Sequence, residues 1–122
     1  MTVQIRVAPS NSLIFISDTA DFWPTYNVDA TPIVANDKCI SVVCLMWQDG
    51  ETDVTLGLAD ALGAQTPTPD FDGSIETPSR KVMVSTVEHD VLLEHEVPET
   101  RTRVRIWLNR PQEPDEVLIG LG

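Results

Sequence analysis

The residues best suited to chemistry are two histidines and two cysteines, and their spacing favours neither catalysis nor metal binding. The pattern places His89 in a turn, His95 within a strand, and Cys39 and Cys44 in one apolar run. A general base or a zinc centre needs further groups that converge on one point in space. Counting residues leaves a Ser-His-Asp triad open, but the chain has no G-x-S-x-G elbow. We therefore assign no catalytic residue, no metal ligand and no cofactor.

A second candidate is the segment Asp70-Phe71-Asp72-Gly73, which resembles a fragment of a calcium-binding loop. Two aspartates at i and i+2 precede a glycine. The remaining ligand position and the flanking helices of an EF-hand are missing. We interpret the segment as an Asp-rich turn.

The most regular charged feature is a stripe of three arginines, Arg101, Arg103 and Arg105, on one predicted strand. Such a stripe presents about 13 Å of positive charge, which suits a phosphate or an acidic groove. The preceding predicted strand carries Glu94 and Glu96, and a tight turn would place them beside the arginines. Opposite charges across a strand pair contribute roughly 0.2–1 kcal/mol each, so we predict an internal ladder.

The charge balance limits the class of partner. The chain has 19 acidic and 8 basic residues, a formal net charge of −11. Binding of nucleic acid phosphates needs a surplus of Lys and Arg, and an anionic membrane repels an acidic protein. We therefore expect neither nucleic acid nor membrane as a direct partner. The acidic surplus suits either solubility alone or a basic protein partner reached by electrostatic steering.

Aromatic residues beside loop acids are the candidates for a contact surface. Trp23 and Tyr26 surround Pro24 in a predicted loop, either as a plug over the core or as an exposed anchor. Trp and Tyr are frequent hot-spot residues at the centre of an interface. The remaining acids of interest lie on the turn after residue 47 and in the long proline-bearing segment from Ala59 to Ser79. The predicted partner-binding residues are Trp23, Tyr26, Asp49, Glu51, Asp53, Asp70, Asp72 and Trp107.

The elements that must position these residues are strands. Short apolar–polar alternations recur about every ten residues with turn residues between them, and no window shows a sustained helical period. This pattern predicts a single all-β domain over residues 1–122, an antiparallel β-sandwich of about eight strands, with a flattened barrel as the alternative. We predict a central hairpin that joins a strand buried on both faces, Cys39–Trp47, to a second strand, Val54–Leu58.

The two cysteines and the N-terminal segment indicate the cellular compartment of the protein. Five residues of strand put Cys39 and Cys44 about 16 Å apart, too far for a disulfide. Reduced thiols favour a reducing compartment. The sequence MTVQIRVAPS lacks the features of a signal peptide, and no apolar run reaches about 18 residues. We expect a soluble, cytoplasmic protein.

Two parts of the chain carry a resemblance to known proteins. They are the short strands Val3–Val7 and Leu13–Ile16 before Asp18, and the C-terminal strands that pass through Val97-Pro98 and end in Trp107. With these the chain resembles small bacterial immunity and inhibitor proteins, and in particular the competence-associated DNA-entry nuclease inhibitors. The resemblance covers about half of the chain and omits Ala59–Ser79. It implies a stoichiometric inhibitor that blocks a nuclease without chemistry, and it carries over no binding residue.

Three hypotheses follow from the sequence. The first is a non-enzymatic, acidic inhibitor or immunity protein for a basic nuclease or toxin. The second is a structural β-sandwich that assembles with itself into a homo-oligomer. The third is a small β-fold enzyme or ligand-binding protein with a pocket at His95.

Overall fold

Alternating apolar residues build ten strands in the computed structural model of this chain, which describes residues 2–19, 33–62 and 68–122. The strands are β1 (Thr2–Val7), β2 (Leu13–Ser17), β3 (Ile33–Ala35), β4 (Cys39–Val43), β5 (Thr52–Leu58), β6 (Phe71–Glu76), β7 (Lys81–Ser85), β8 (Val91–Glu96), β9 (Arg101–Leu108) and β10 (Glu116–Leu121). Short helical turns cover Ser10–Ser12, Trp47–Asp49 and Ala59–Ala61. No helix in the described ranges is long and apolar enough to cross a membrane.

The strands form two five-stranded sheets. The first has the order β1-β5-β10-β9-β6 and the second β3-β4-β2-β7-β8. Neighbouring strands are antiparallel, except that β5 and β10 are parallel. The predicted all-β sandwich is confirmed, and the described strands form two open sheets rather than a flattened barrel. The count is ten rather than about eight because Ile33–Ala35 and Phe71–Glu76 are both strands; Asp72 therefore lies in a strand and not in a loop.

The core lies between the two sheets and follows from the period-two alternation. Ile14 and Ile16 of β2 face inward from the second sheet, and Val104 and Ile106 of β9 face inward from the first. All four side chains are fully buried. Burial of a side chain of this size contributes roughly 1.5–3 kcal/mol, so the alternation determines which face of each strand is covered.

The predicted central hairpin is wrong, because its two strands lie in different sheets. The strand β4 ends at Val43, where the Cys44 N–H donates to the Ser12 carbonyl (2.8 Å) and the Leu45 N–H to the Pro114 carbonyl (2.9 Å). These bonds direct the chain out of the second sheet. It re-enters the first sheet as β5, which pairs with β1 and β10.

Burial on both faces, as predicted for this strand, holds only from Cys39 to Val42. Val43, Met46 and Trp47 are exposed, so the prediction is wrong for them. Met46 and Trp47 follow the end of β4, in the connection between the sheets, and Val43 is the last residue of that strand. Cys44, just after the strand, is still buried.

The predicted ladder between the arginine stripe and Glu94 and Glu96 is also wrong. The strand β8 pairs with β7 in the second sheet, whereas β9 pairs with β6 and β10 in the first. The turn at residues 97–100 therefore crosses between sheets, as the connection at Pro9 does between β1 and β2. Glu94 instead faces Lys81, with 3.8 Å between Oε1 and Nζ.

The two cysteines are free and buried, as predicted. Burial in apolar surroundings raises the pKa of the Cys39 thiol and of the Cys44 thiol to about 12, because a thiolate loses its hydration there. Both groups are therefore protonated and unreactive at neutral pH.

We expect the native protein to resist modification by a thiol reagent such as dithionitrobenzoate at pH 8, because the thiols are covered and protonated. Both cysteines should react at once in denaturant. The unfolded thiols ionise near the ordinary value of 9.0, whereas the folded ones hold their protons to about 12. The free energy of unfolding should therefore fall as the pH rises from 9 to 12. Rapid labelling of the native protein would contradict the burial of both thiols.

Candidate partner-binding face

The outer face of the first sheet contains a groove of about 430 Å³, which we call the acidic groove. Its lining comes from strands β1, β5, β10 and β9 and from the residue before β6. The lining residues are Gln4, Asp53, Thr55, Asp70, Trp107, Leu108, Asn109, Glu116 and Leu118. Three carboxylates and one indole ring thus line the same groove.

Strand register brings these residues together. Gln4 is opposite Thr55, Thr55 is opposite Leu118, and Leu118 is opposite Trp107, so four strands contribute one row. In the next row Asp53 is opposite Glu116. Because side chains alternate between the faces of a sheet, both rows point away from the core.

A glycine on the neighbouring strand positions the indole of Trp107. A Cβ atom at Gly120 would lie 3.0 Å from Trp107 Cζ3 and 3.2 Å from the Cα of Ala59. The ring therefore packs against the bare backbone of β10, next to the helical turn at Ala59–Ala61. This packing leaves Trp107 half-buried and holds it in the sheet face rather than free in solvent.

The groove carboxylates differ in their partners. Asp53 Oδ1 lies 3.5 Å from Arg6 Nε; the Arg6 side chain is exposed and that of Asp53 is half-buried. Asp70 Oδ2 accepts a hydrogen bond from the Leu108 N–H (2.7 Å), which fixes that side chain at the end of β9. Glu116 is exposed, and its backbone N–H donates to the Asn109 side chain (3.2 Å). Carboxylates around an aromatic face suit a guanidinium or an ammonium group, through ion pairing and cation–π attraction.

The arginine stripe is held inside the fold by partners on other segments. Arg103 donates from Nε to Asp72 Oδ1 (2.9 Å) and from Nη2 to Asp72 Oδ2 (2.6 Å). Arg101 donates to Ser74 Oγ (3.0 Å), and Arg105 Nη2 donates to the Gly122 carbonyl (2.6 Å). The stripe that could bind phosphate is thus engaged by neighbouring groups.

The Arg103–Asp72 pair also changes both pKa values. The hydrogen bonds from Arg103 lower the pKa of the Asp72 carboxyl below its ordinary 3.8, and the same bonds raise the pKa of the Arg103 guanidinium. Asp72 therefore remains ionised, with much of its charge compensated within β6 and β9.

Three of the predicted partner-binding residues line the groove: Asp53, Asp70 and Trp107. Asp49 and Glu51 are exposed on the connection before β5 and do not line the groove, nor does Asp72. Trp23 and Tyr26 lie outside the described residues.

The sequence did not identify the other six lining residues. Thr55 and Gln4 reach the groove only through the parallel pairing of β5 with β10 and its neighbour β1. The remaining four, Leu108, Asn109, Glu116 and Leu118, lie at the pairing of β9 with β10. Sequence reasoning also assigned Trp47 to the core, although the nine-residue run CISVVCLMW is long for a strand and leads into the turn residues Gln48-Asp49-Gly50. His95, named for a possible pocket, is outside the groove lining, and its Nδ1 lies 2.6 Å from the Glu96 carbonyl. In the described ranges, no three or more His, Cys, Asp or Glu residues are grouped so as to hold a metal ion.

We expect Gly120→Ala to lower the free energy of unfolding by about 1–3 kcal/mol, because the new methyl group overlaps the indole and the backbone of Ala59. Urea denaturation of Gly120→Ala, Trp107→Leu and the double variant measures this. The double variant should be more stable than the sum of the two single effects implies, because the smaller leucine relieves part of the overlap. Strict additivity would show that the indole does not lie over Gly120.

We expect Arg103→Gln to raise the pKa of Asp72 towards its ordinary value, because the charged double hydrogen bond is lost. The lowered pKa stabilises the wild-type protein above pH 3.8, and this contribution is lost as the pH falls through the folded-state value. A carboxyl NMR titration measures the pKa directly. Arg110→Gln is the matched control and should leave Asp72 unchanged; an equal shift in both variants would refute the assignment.

Comparison with known proteins bears on the fold. No protein-family model matches the sequence, and no curated protein matches it. The chain is similar to a solved structure, the crystal structure of ComJ, inhibitor of the DNA degrading activity of NucA, from Bacillus subtilis. The similarity has a TM-score of 0.66 at 11% sequence identity and covers 98% of this chain and 93% of that chain. The resemblance predicted from the sequence is therefore confirmed in the fold, which this chain shares with a nuclease inhibitor.

Proposed function

We propose that this protein is a non-enzymatic inhibitor that binds a basic protein, such as a nuclease, through the outer face of its first sheet. The observation that carries the proposal is the acidic groove, which Asp53, Asp70 and Glu116 line together with Trp107. The fold shared with ComJ, itself an inhibitor of DNA degradation by NucA, supports the same function.

The chemistry of the groove suits a basic side chain of the partner. An arginine placed over the indole of Trp107 gains roughly 0.5–2 kcal/mol from cation–π attraction, depending on desolvation. Its guanidinium would reach the carboxylates of Glu116 and Asp70, and charge-assisted hydrogen bonds are the stronger class. A nuclease that binds DNA phosphates presents such basic residues in its substrate groove. Occupation of that groove by this protein would exclude DNA without any chemical step.

The negative charge of the chain would speed its association with a basic partner. A net charge of −11 attracts a basic protein over a distance of about a Debye length, roughly 10 Å at 0.1 M salt. Asp49 and Glu51, both exposed, add to this field beside the strand that carries Asp53. Steering of this kind raises the association rate and weakens with ionic strength.

The proposal predicts the outcome of affinity capture from a lysate of the native host, with the tagged protein as bait. The bait should retain a basic nuclease at low salt. This binding should weaken at about 0.5 M salt, where the Debye length is roughly 4 Å. The captured enzyme should lose DNA-degrading activity when one equivalent of this protein is added. If no nuclease is captured, or if the captured nuclease remains active at a molar excess, the proposal fails.

The double variant Asp70→Asn, Glu116→Gln tests the location of the contact. We expect its affinity for the captured nuclease to fall about tenfold or more, because two charge-assisted contacts are lost. The matched control is Glu94→Gln, Glu96→Gln, which changes the net charge equally but lies on β8 in the second sheet. Equal losses in the two variants would mean that net charge, and not the groove, determines binding. Titration calorimetry measures both affinities.

A further inference from the structure

The connection between β4 and β5 presents apolar side chains to solvent. Met46 is 43% exposed and Trp47 is 54% exposed, and Val43 at the end of β4 is 37% exposed. We call these three residues the Trp47 tip. Single exposed apolar residues are common on protein surfaces, but an indole with two apolar neighbours within five positions is a feature of contact surfaces.

The backbone of the Trp47 tip is held in place by neighbouring segments. The Trp47 N–H donates to Ser12 Oγ (3.2 Å), and the Asp49 N–H donates to the Met46 carbonyl (2.8 Å). Just before the tip, the Cys44 and Leu45 N–H groups bond to the carbonyls of Ser12 and Pro114. A contact residue on a fixed backbone loses little conformational entropy on binding, which favours affinity.

The support from Ser12 requires an unusual backbone conformation. Asn11 has φ 57° and Ser12 has φ 59°, both in the left-handed region that residues with a Cβ seldom adopt. Ser12 is buried and provides its carbonyl and its hydroxyl oxygen to the connection. Strained backbone of this kind occurs where a particular placement of a neighbouring segment is needed, here that of the Trp47 tip.

We infer that the Trp47 tip is a second contact surface for the basic partner, inserting Trp47 into an apolar pocket whose rim carries Lys and Arg; this inference rests on the proposed function. Asp49 and Glu51 are exposed next to the tip, so a rim that carries Lys and Arg would complement their negative charge. An apolar anchor inside a polar ring is the arrangement of an interface hot spot.

One partner can reach the tip and the acidic groove together. Five residues lie between Trp47 and Asp53, so their Cα atoms are at most about 22 Å apart. An ordinary interface covers about 800 Å² on each partner, roughly 30 Å across. The distance between Trp47 and Asp53 is therefore within the width of a single interface.

The test compares Trp47→Ala with Val91→Ala for binding to the captured nuclease by titration calorimetry. Val91 is the matched control, since it is 45% exposed but lies on β8 of the second sheet. We expect Trp47→Ala to weaken binding about 30-fold or more, the level that defines a hot spot, and Val91→Ala to bind as the wild type does. Thermal unfolding should be little changed in either variant, since neither side chain is in the core.

A second measurement does not depend on removing the side chain. In the NMR spectrum of ¹⁵N-labelled protein, the indole N–H signal of Trp47 is the one that is missing in Trp47→Phe. This signal should shift when the captured nuclease is added. The inference about Trp47 would be overturned if the two alanine variants bound the nuclease with equal affinity and the indole signal did not move. In that case the proposed function would still stand if the wild-type protein inhibited the nuclease. Sedimentation velocity gives another test. If the wild type is a dimer and Trp47→Ala is a monomer with unchanged nuclease affinity, the inference is overturned, and Trp47 instead contacts a second copy of this chain. Failure of the wild type to capture a nuclease would remove both proposals.

Discussion

The parallel pairing of β5 with β10 is the constraint on which the outer face of the first sheet depends. These two strands are far apart in the chain, yet their pairing puts Asp53 beside Glu116 and Thr55 beside Leu118. The antiparallel neighbours β1 and β9 then add Gln4 on one side and Trp107 on the other. Without the parallel pair, Asp53, Thr55 and Gln4 would not join Trp107, Asp70 and Glu116 in one groove.

The same pairing places like charges next to each other. Asp53 and Glu116 are neighbours across β5 and β10, and adjacent like charges destabilise a sheet. Arg6 lies near Asp53 and offsets part of this repulsion, but the Arg6 side chain is largely exposed, so the attraction is weak. A basic group from a partner would relieve the remaining repulsion.

Connections that cross between the sheets set the other features of the surface. The crossing from β4 to β5 carries the Trp47 tip out of the core, and the crossing from β8 to β9 separates Glu94 and Glu96 from the arginine stripe. Arg103 then pairs with Asp72 on β6 instead. The arginines of β9 thus bond to groups within the fold, Arg101 to Ser74 and Arg105 to the Gly122 carbonyl.

The sequence by itself determined the all-β class, the approximate positions of most strands and their inward and outward faces. It also determined the burial of Cys39 and Cys44 and the resemblance to a nuclease inhibitor. These properties are local, because alternation and turn residues act within a few positions. Three of the predicted contact residues, Asp53, Asp70 and Trp107, line the groove, since their outward side chains follow from the same alternation. Only the tertiary structure decided which strands pair. The predicted hairpin and the predicted ladder failed because the residues that hold Cys44, Leu45 and Arg103 lie far along the chain, and no local pattern records such a partner.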